Sequence, residues 1–268
     1  MPFFDLDDTR LYYETTGTGA PLLFIHGLGS STRDWYAQVD YFADDYRVIT
    51  ADLRGHGRSE SSATYSIPRF ADDMAALLQH LEAAPANIVG LSLGGMVAFQ
   101  LAVEHPTLVR RLVIANSRPE VKLESLRDYW RYGSRRLVAQ VLGMRTTGRI
   151  LAHRLFHKPE HGRLRQAFIE RWAENDKSAY LQTLDAIVGW SVADRIASIS
   201  CPTLIIAAEE DYTSFQKNRE YANRIPDARL VVIPDARHAT PVEEPEAFNE
   251  TIASFLHPTA PALTSEAE

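Results

Sequence analysis

Ser92 stands in the stretch Gly90-Leu91-Ser92-Leu93-Gly94-Gly95, directly after the apolar run Asn87-Ile88-Val89 and before a helical run from Met96 to Glu104. A serine between a strand and a helix must occupy a sharp turn. Glycines two residues to either side let neighbouring backbone pack against that turn without Cβ clashes, the spacing of a nucleophile elbow. A serine hydroxyl is a weak nucleophile at neutral pH, so acyl-transfer chemistry also needs a base to take its proton and an acid to orient the base. Asp211 follows the apolar run Leu204 to Ala208, and His238 follows Leu230 to Pro234 by a few residues. The chain order serine, acid, histidine is the one that accompanies this kind of elbow. Glu210 competes with Asp211 for the acid's place, because side-chain alternation is hard to phase at a strand end. Two backbone N–H groups must face the developing oxyanion. Leu93, at the start of the helix after Ser92, supplies one, and Leu28, in the loop after Ile25-His26-Gly27, supplies the other.

These residues need a frame that brings the ends of several strands together. Residues 2–7 and 9–15 alternate polar and apolar side chains around Asp7-Asp8, as a hairpin at a sheet edge does. Continuous apolar runs at 22–26, 46–51, 88–89, 112–114, 204–206 and 230–233 predict strands buried on both faces, separated by helical segments. This alternation predicts an α/β architecture, a doubly wound and mostly parallel sheet whose ligands bind beyond the carboxyl ends of the strands. Between Ser117 and Trp190 the strand rhythm stops. Four amphipathic helical stretches replace it, around 123–141, 150–155, 164–172 and 181–188, each with one apolar face turned inward. The expected organisation is a core of residues 1–116 and 191–257, a helical cap of residues 117–190 folded over the site, and a Pro-, Ala-, Thr- and Glu-rich disordered tail, 258–268.

Length and composition bound the rest. The chain has 268 residues, a net charge of −7 and one cysteine, Cys201. An internal disulfide and a cysteine zinc cluster are excluded, and an acidic chain does not suit general nucleic-acid binding. No basic and apolar leader is apparent, and no apolar stretch reaches the roughly 20 residues that span a bilayer. A cytoplasmic protein without stable membrane association is expected; a homo-oligomer is compatible with the composition. The segment 117–190 carries 14 Lys or Arg against 8 Asp or Glu, so it is basic while the remainder is strongly acidic. Such a lid could steer an anionic substrate, although Arg127, Arg131, Arg135 and Arg149 also suit the solvated faces of amphipathic helices. His26, His56, Arg54 and Arg58 read as loop anchors. His153, His157 and His161 recur at helical spacing, but Pro159 interrupts them, so no metal site is expected. Among the aromatic residues of the insertion, Trp130 and Trp172 are the candidates for substrate contact, with Phe156, Phe168 and Trp190 packing the insertion's core.

Taken together, His26-Gly27-Leu28-Gly29-Ser30-Ser31, Asp52-Leu53-Arg54-Gly55-His56-Gly57-Arg58-Ser59, Gly90 to Gly95, Glu209-Glu210-Asp211 and Arg237-His238-Ala239 resemble the α/β-hydrolase superfamily from about Leu11 to Phe255. The pattern is most similar to the branch of bacterial carboxylesterases and 3-oxoadipate enol-lactonases. The resemblance implies an eight-stranded sheet with the insertion after the sixth strand. It implies a cofactor-free serine hydrolase with Ser92, Asp211 and His238 as triad and the Leu28 and Leu93 amides as oxyanion hole. Relatives that move the acid to the end of the earlier strand need a carboxylate there, and this chain has Asn116 and Ser117. Perhydrolase-type relatives show a proline after His-Gly, and here the residue is Leu28. Small to medium acyl or aryl esters are the expected substrates. The alternatives are an anionic enol-lactone and, from a different class, a hydrolase-like ligand-binding receptor.

Overall fold

A computed structural model describes residues 2–257; the expected tail, 258–268, lies outside them. In chain order the strands are β1 (Phe3–Asp5), β2 (Arg10–Thr16), β3 (Ala20–Ile25), β4 (Tyr46–Ala51), β5 (Ala86–Leu91), β6 (Val109–Ala115), β7 (Thr203–Ala208) and β8 (Ala228–Ile233). They form one eight-stranded sheet in the order β1-β2-β4-β3-β5-β6-β7-β8, in which β1 and β2 pair antiparallel and β4 through β8 run parallel to β3. The helices are α1 (Tyr36–Phe42), α2 (Ile67–His80), α3 (Leu93–Glu104), α4 (Leu126–Leu155), α5 (Gly162–Ala173), α6 (Lys177–Ile187), α7 (Phe215–Ala222), α8 (Thr240–Glu243) and α9 (Pro245–Leu256).

Successive side chains of a strand point to opposite faces, and β3 shows how that builds two layers. Leu23 and Ile25 pack with Phe70 and Met74 of α2 and Val97 and Leu101 of α3. Leu22 and Phe24 pack on the other face with Trp35, Phe42, Phe248 and Ile252. A continuous apolar run thus marks a strand covered on both sides. The rule weakens at the sheet's edge: alternate residues of β8 are exposed, including Val231.

The sheet order reverses between β3 and β5. The chain leaves β3 for β4 on one side and returns to β5 on the other, which opens a crevice at the carboxyl ends of the two strands. Ile25 is in register with Gly90, so the loop after β3 and the turn after β5 face each other across that crevice.

The regular elements between β6 and β7 are all helical, joined by loops, with a single bridge between Glu120 and Ser191. The first two helical stretches of the sequence form one element, α4, broken at Gly143, whose φ of 75° is left-handed. The orientation of α4 differs from the expected one. Its apolar stripe of Leu126, Trp130, Leu137 and Val141 is exposed, and Tyr132, Arg135 and Ala139 turn inward instead. Periodicity identifies a stripe but not the side that meets the protein. Here the inward polar groups find partners in Asp185 and Tyr180. Trp190 likewise joins the main core, its indole N–H donating to Gln100 at 2.8 Å, and not the core of the insertion.

Candidate active site

Ser92 occupies the turn between β5 and α3 with φ 55° and ψ −113°, a conformation that costs a non-glycine residue of order 1–3 kcal/mol. The surrounding backbone holds it there. A Cβ on Gly90 would strike the carbonyl of Gly94, and one on Gly94 would strike the carbonyl of Ile25. The Ser92 N–H donates to Ala115 at 3.0 Å, and Ser117 Oγ donates to the Ser92 carbonyl at 2.6 Å. The hydroxyl is thereby lifted to the mouth of the crevice.

His238, after β8, meets it. The imidazole Nε2 lies 2.8 Å from Ser92 Oγ and Nδ1 lies 2.8 Å from Asp211 Oδ1. Because a carboxylate can only accept, Nδ1 carries the proton and Nε2 offers its lone pair to the serine hydroxyl. The Asp211 side chain is fully buried, while His238 keeps 13% of its surface. Glu210, the competing acid, instead pairs with Arg237 at 2.8 Å, and Glu209 accepts from the Asp235 N–H at 2.9 Å. The structure therefore brings Ser92, His238 and Asp211 into one hydrogen-bonded chain.

The two expected oxyanion donors, Leu28 and Leu93, both lie beside Ser92. Leu93 opens α3, so its N–H has no partner within the helix. The Leu28 N–H, in the loop after β3, has no acceptor among the described residues. Gly27 brings that loop against the serine: a Cβ on Gly27 would stand 3.5 Å from Ser92 Cβ. The loop is fixed from the other side by the insertion. Asn175 Nδ2 donates to the Gly29 carbonyl at 2.8 Å, and the Trp172 ring lies so close that a Cβ on Gly29 would come within 2.7 Å of it.

The two tryptophans expected to touch substrate are placed differently. Trp172 is 4% exposed and packs against Gly29, Phe168 and Tyr180. Trp130 is 74% exposed on the outward stripe of α4. Trp130 thus stands on the outer surface, while Trp172 is held against the loop after β3. The amphipathic spacing that suggested both cannot separate a buried packing ring or an outward one from a pocket wall.

Several residues of the site were not singled out from the sequence. Asn116, at the end of β6 with φ 46°, accepts from the Ala208 N–H at 2.8 Å and donates to the His238 carbonyl at 2.9 Å and to Thr240 Oγ1 at 2.7 Å. It ties the end of β7, which leads to Asp211, to the loop that carries His238. The absence of a carboxylate at this position was legible; the amide's bracing function was not. Glu243 braces the same loop by accepting from the Arg237 N–H at 2.7 Å. Tyr212, next to Asp211, stacks its ring 4.2 Å from the His238 ring and hydrogen-bonds His238 Nε2 through its hydroxyl. Burial pushes the Tyr212 phenol up most strongly and the Asp211 charge adds to this, while Arg135, Ser92 and Arg131 act the other way. The residue is nevertheless half exposed.

The loop histidines and arginines serve the framework. His26 Nε2 accepts from the Leu53 N–H at 2.9 Å, and its Nδ1 donates to the Gly27 carbonyl at 2.8 Å. Burial holds His26 below its ordinary pKa, and burial together with His26 pushes His56 down to about 3. Arg54 is fully buried and pairs with Asp73 and Asp8. Arg58 pairs with Glu14 and stacks on Tyr12.

A family model described as the alpha/beta hydrolase fold matches residues 20–245. This chain belongs to that family. The hydrolase is 28% identical over 272 residues to 3-oxoadipate enol-lactonase 2 of Acinetobacter baylyi, covering 96% of this chain and 98% of the relative. Among solved structures it is similar to the enol-lactonase of Burkholderia xenovorans, with a TM-score of 0.86 at 27% identity, covering 95% of this chain and 99% of that one. It is also similar to a thermophilic esterase of Thermogutta terrifontis, with a TM-score of 0.80 at 29% identity over 92% and 93% of the two chains. Among the described residues no helix of the hydrolase is long and apolar enough to cross a membrane.

Proposed function

We propose that the protein hydrolyses carboxylic esters, cyclic esters included, through an acyl-enzyme formed on Ser92. The observation that carries this reading is the hydrogen-bonded chain from Ser92 Oγ through His238 to Asp211 at the head of a strained elbow. Relatives named as an esterase and as enol-lactonases support an ester carbonyl as the electrophile.

In this reading Ser92 Oγ attacks the carbonyl as His238 Nε2 takes its proton. Asp211 holds the imidazole in the tautomer that leaves Nε2 free and stabilises the imidazolium that forms. The Leu28 and Leu93 N–H groups stabilise the tetrahedral oxyanion, each donor of this kind being worth about 3–4 kcal/mol of barrier. His238 then gives its proton to the departing oxygen, and a water activated by the same nitrogen releases the acid. The Tyr212 hydroxyl also contacts Nε2 and shares its single lone pair with the Ser92 hydroxyl, so it gives way when Nε2 takes the serine proton. The insertion acts as a cap that sets the oxyanion loop through Trp172 and Asn175 and meets the catalytic loop at Ala239. Hydrolysis of 4-nitrophenyl butyrate by the wild type and by Ser92→Ala tests the reading. Turnover by the wild type that vanishes in the variant supports it; turnover retained by Ser92→Ala contradicts it.

A further inference from the structure

Helix α4 turns charge rather than its apolar stripe toward the site. Arg131 and Arg135 are one turn apart and share a face of that helix. The Arg131 guanidinium carbon lies 4.8 Å from the centre of the Tyr212 ring, the ring stacked on His238. Arg135 donates from Nε to the Tyr180 hydroxyl at 2.6 Å and is close enough to act on the Tyr212 phenol. Both cations thus reach the corner of the site where Tyr212 covers His238.

They differ from neighbouring arginines in what they lack. Arg136 pairs with Asp185, Arg145 with Glu170 and Arg171 with Asp34. Among the described residues neither Arg131 nor Arg135 has a carboxylate within ion-pair distance, and the two terminal amino groups of Arg135 have no hydrogen-bond partner. Arg135 is half-buried; burial is the largest single influence and acts against its charge, but Tyr180 and Tyr212 together outweigh it, so its pKa lies above the ordinary value with no acid among the causes. Drawing a cation out of water without a counter-charge is costly. A planar fork of free N–H donors is the shape that a carboxylate fills with two parallel hydrogen bonds.

We infer that Arg135, assisted by Arg131, is a recognition site for a carboxylate carried by the substrate, so that the esters turned over at Ser92 are anionic. The inference rests on the acyl-enzyme reading and adds the charge of its substrate. It also gives the basic character of the insertion a specific place: both of these cations reach Tyr212, the ring beside His238.

Two esters that share chain length and leaving group test it, mono(4-nitrophenyl) adipate and 4-nitrophenyl hexanoate. The wild type should favour the adipate in kcat/KM. Arg135→Met should lower the adipate-to-hexanoate ratio by about tenfold or more, the size of a lost charge-assisted hydrogen bond, chiefly through a higher KM for the adipate. Arg131→Gln should lower it less, and Arg135→Lys should restore part of it. Adipate dianion should inhibit the wild type competitively and the Arg135→Met variant about tenfold more weakly. A thermal midpoint near that of the wild type verifies folding of each variant. A ratio that stays within about twofold, or an equal loss on both esters with adipate inhibition unchanged, overturns the inference. Loss of all turnover in Ser92→Ala beside an unmoved ratio removes the carboxylate site alone. Turnover of both esters retained by Ser92→Ala removes the reading beneath it.

Discussion

Replacing Asn116 by alanine should cost both stability and turnover, in amounts that follow from its contacts. The side chain supplies the acceptor for the Ala208 N–H at the end of a buried strand, and two donated bonds to the loop of His238. Leaving a buried N–H without a partner costs about 1–3 kcal/mol, and each neutral hydrogen bond lost about 1 kcal/mol more. Alanine in the left-handed region occupied by Asn116, φ 46°, adds roughly 1–2 kcal/mol. The expected loss is therefore about 4–7 kcal/mol in urea unfolding followed by tryptophan fluorescence. Asn116→Gly removes the same bonds without the backbone conflict and should lose about 1 kcal/mol less. Because the His238 main chain loses its anchor, kcat for 4-nitrophenyl butyrate should fall by about tenfold or more with a smaller change in KM, as for a catalytic group displaced by a fraction of an ångström. An Asn116→Ala protein with wild-type kcat and a stability within about 1 kcal/mol of the wild type would refute the bracing argument.

Two further outcomes follow from groups away from the serine. Arg54→Leu leaves the buried carboxylate of Asp73, 2% exposed, without its bidentate partner, and should destabilise the fold by about 3–5 kcal/mol; urea midpoints of Arg54→Leu and of the double variant Arg54→Leu/Asp73→Leu test this, since the second should recover part of the loss. His26 and His56 are held neutral by burial, with His56 down to about 3. The unfolded chain binds protons at these sites below about pH 6.5 while the folded chain does not, so stability should fall as pH drops from 6.5 toward 5, by up to about 1.4 kcal/mol per pH unit for each histidine. Unfolding curves of the wild type and His56→Gln across that range check it, and an equal slope in both would count against His56.

Much of this architecture was legible because burial on both faces writes itself as continuous apolar runs. β3 to β7 read directly from such runs, and the chemistry fell at strand ends because a switch-point crevice can form nowhere else in this sheet. The hairpin of β1 and β2 read from alternation. Other features depend on tertiary partners that local sequence does not encode. The apolar spacing of α4 predicted an inward stripe, but Asp185 and Tyr180 draw in Tyr132 and Arg135, and Trp130 is left outside. The break at Gly143 was hidden because helical spacing continues on both sides of it. The choice between Glu210 and Asp211 required the turn after β7, where Arg237 takes Glu210 and His238 takes Asp211. Asn116 and Tyr212 act through partners more than 20 residues away in sequence, and neither carries a motif of its own.

In the proposed mechanism Ser92 Oγ is the atom acylated, with His238 as its base. A fluorophosphonate, whose phosphorus an activated serine hydroxyl attacks with loss of fluoride and which does not turn over, tests this most directly. Peptide mapping of the labelled protein should place one adduct on the peptide containing Ser92, with no labelling of Ser92→Ala and labelling of His238→Ala slowed by orders of magnitude. An adduct on any other residue, or labelling of His238→Ala as fast as the wild type, would contradict the account.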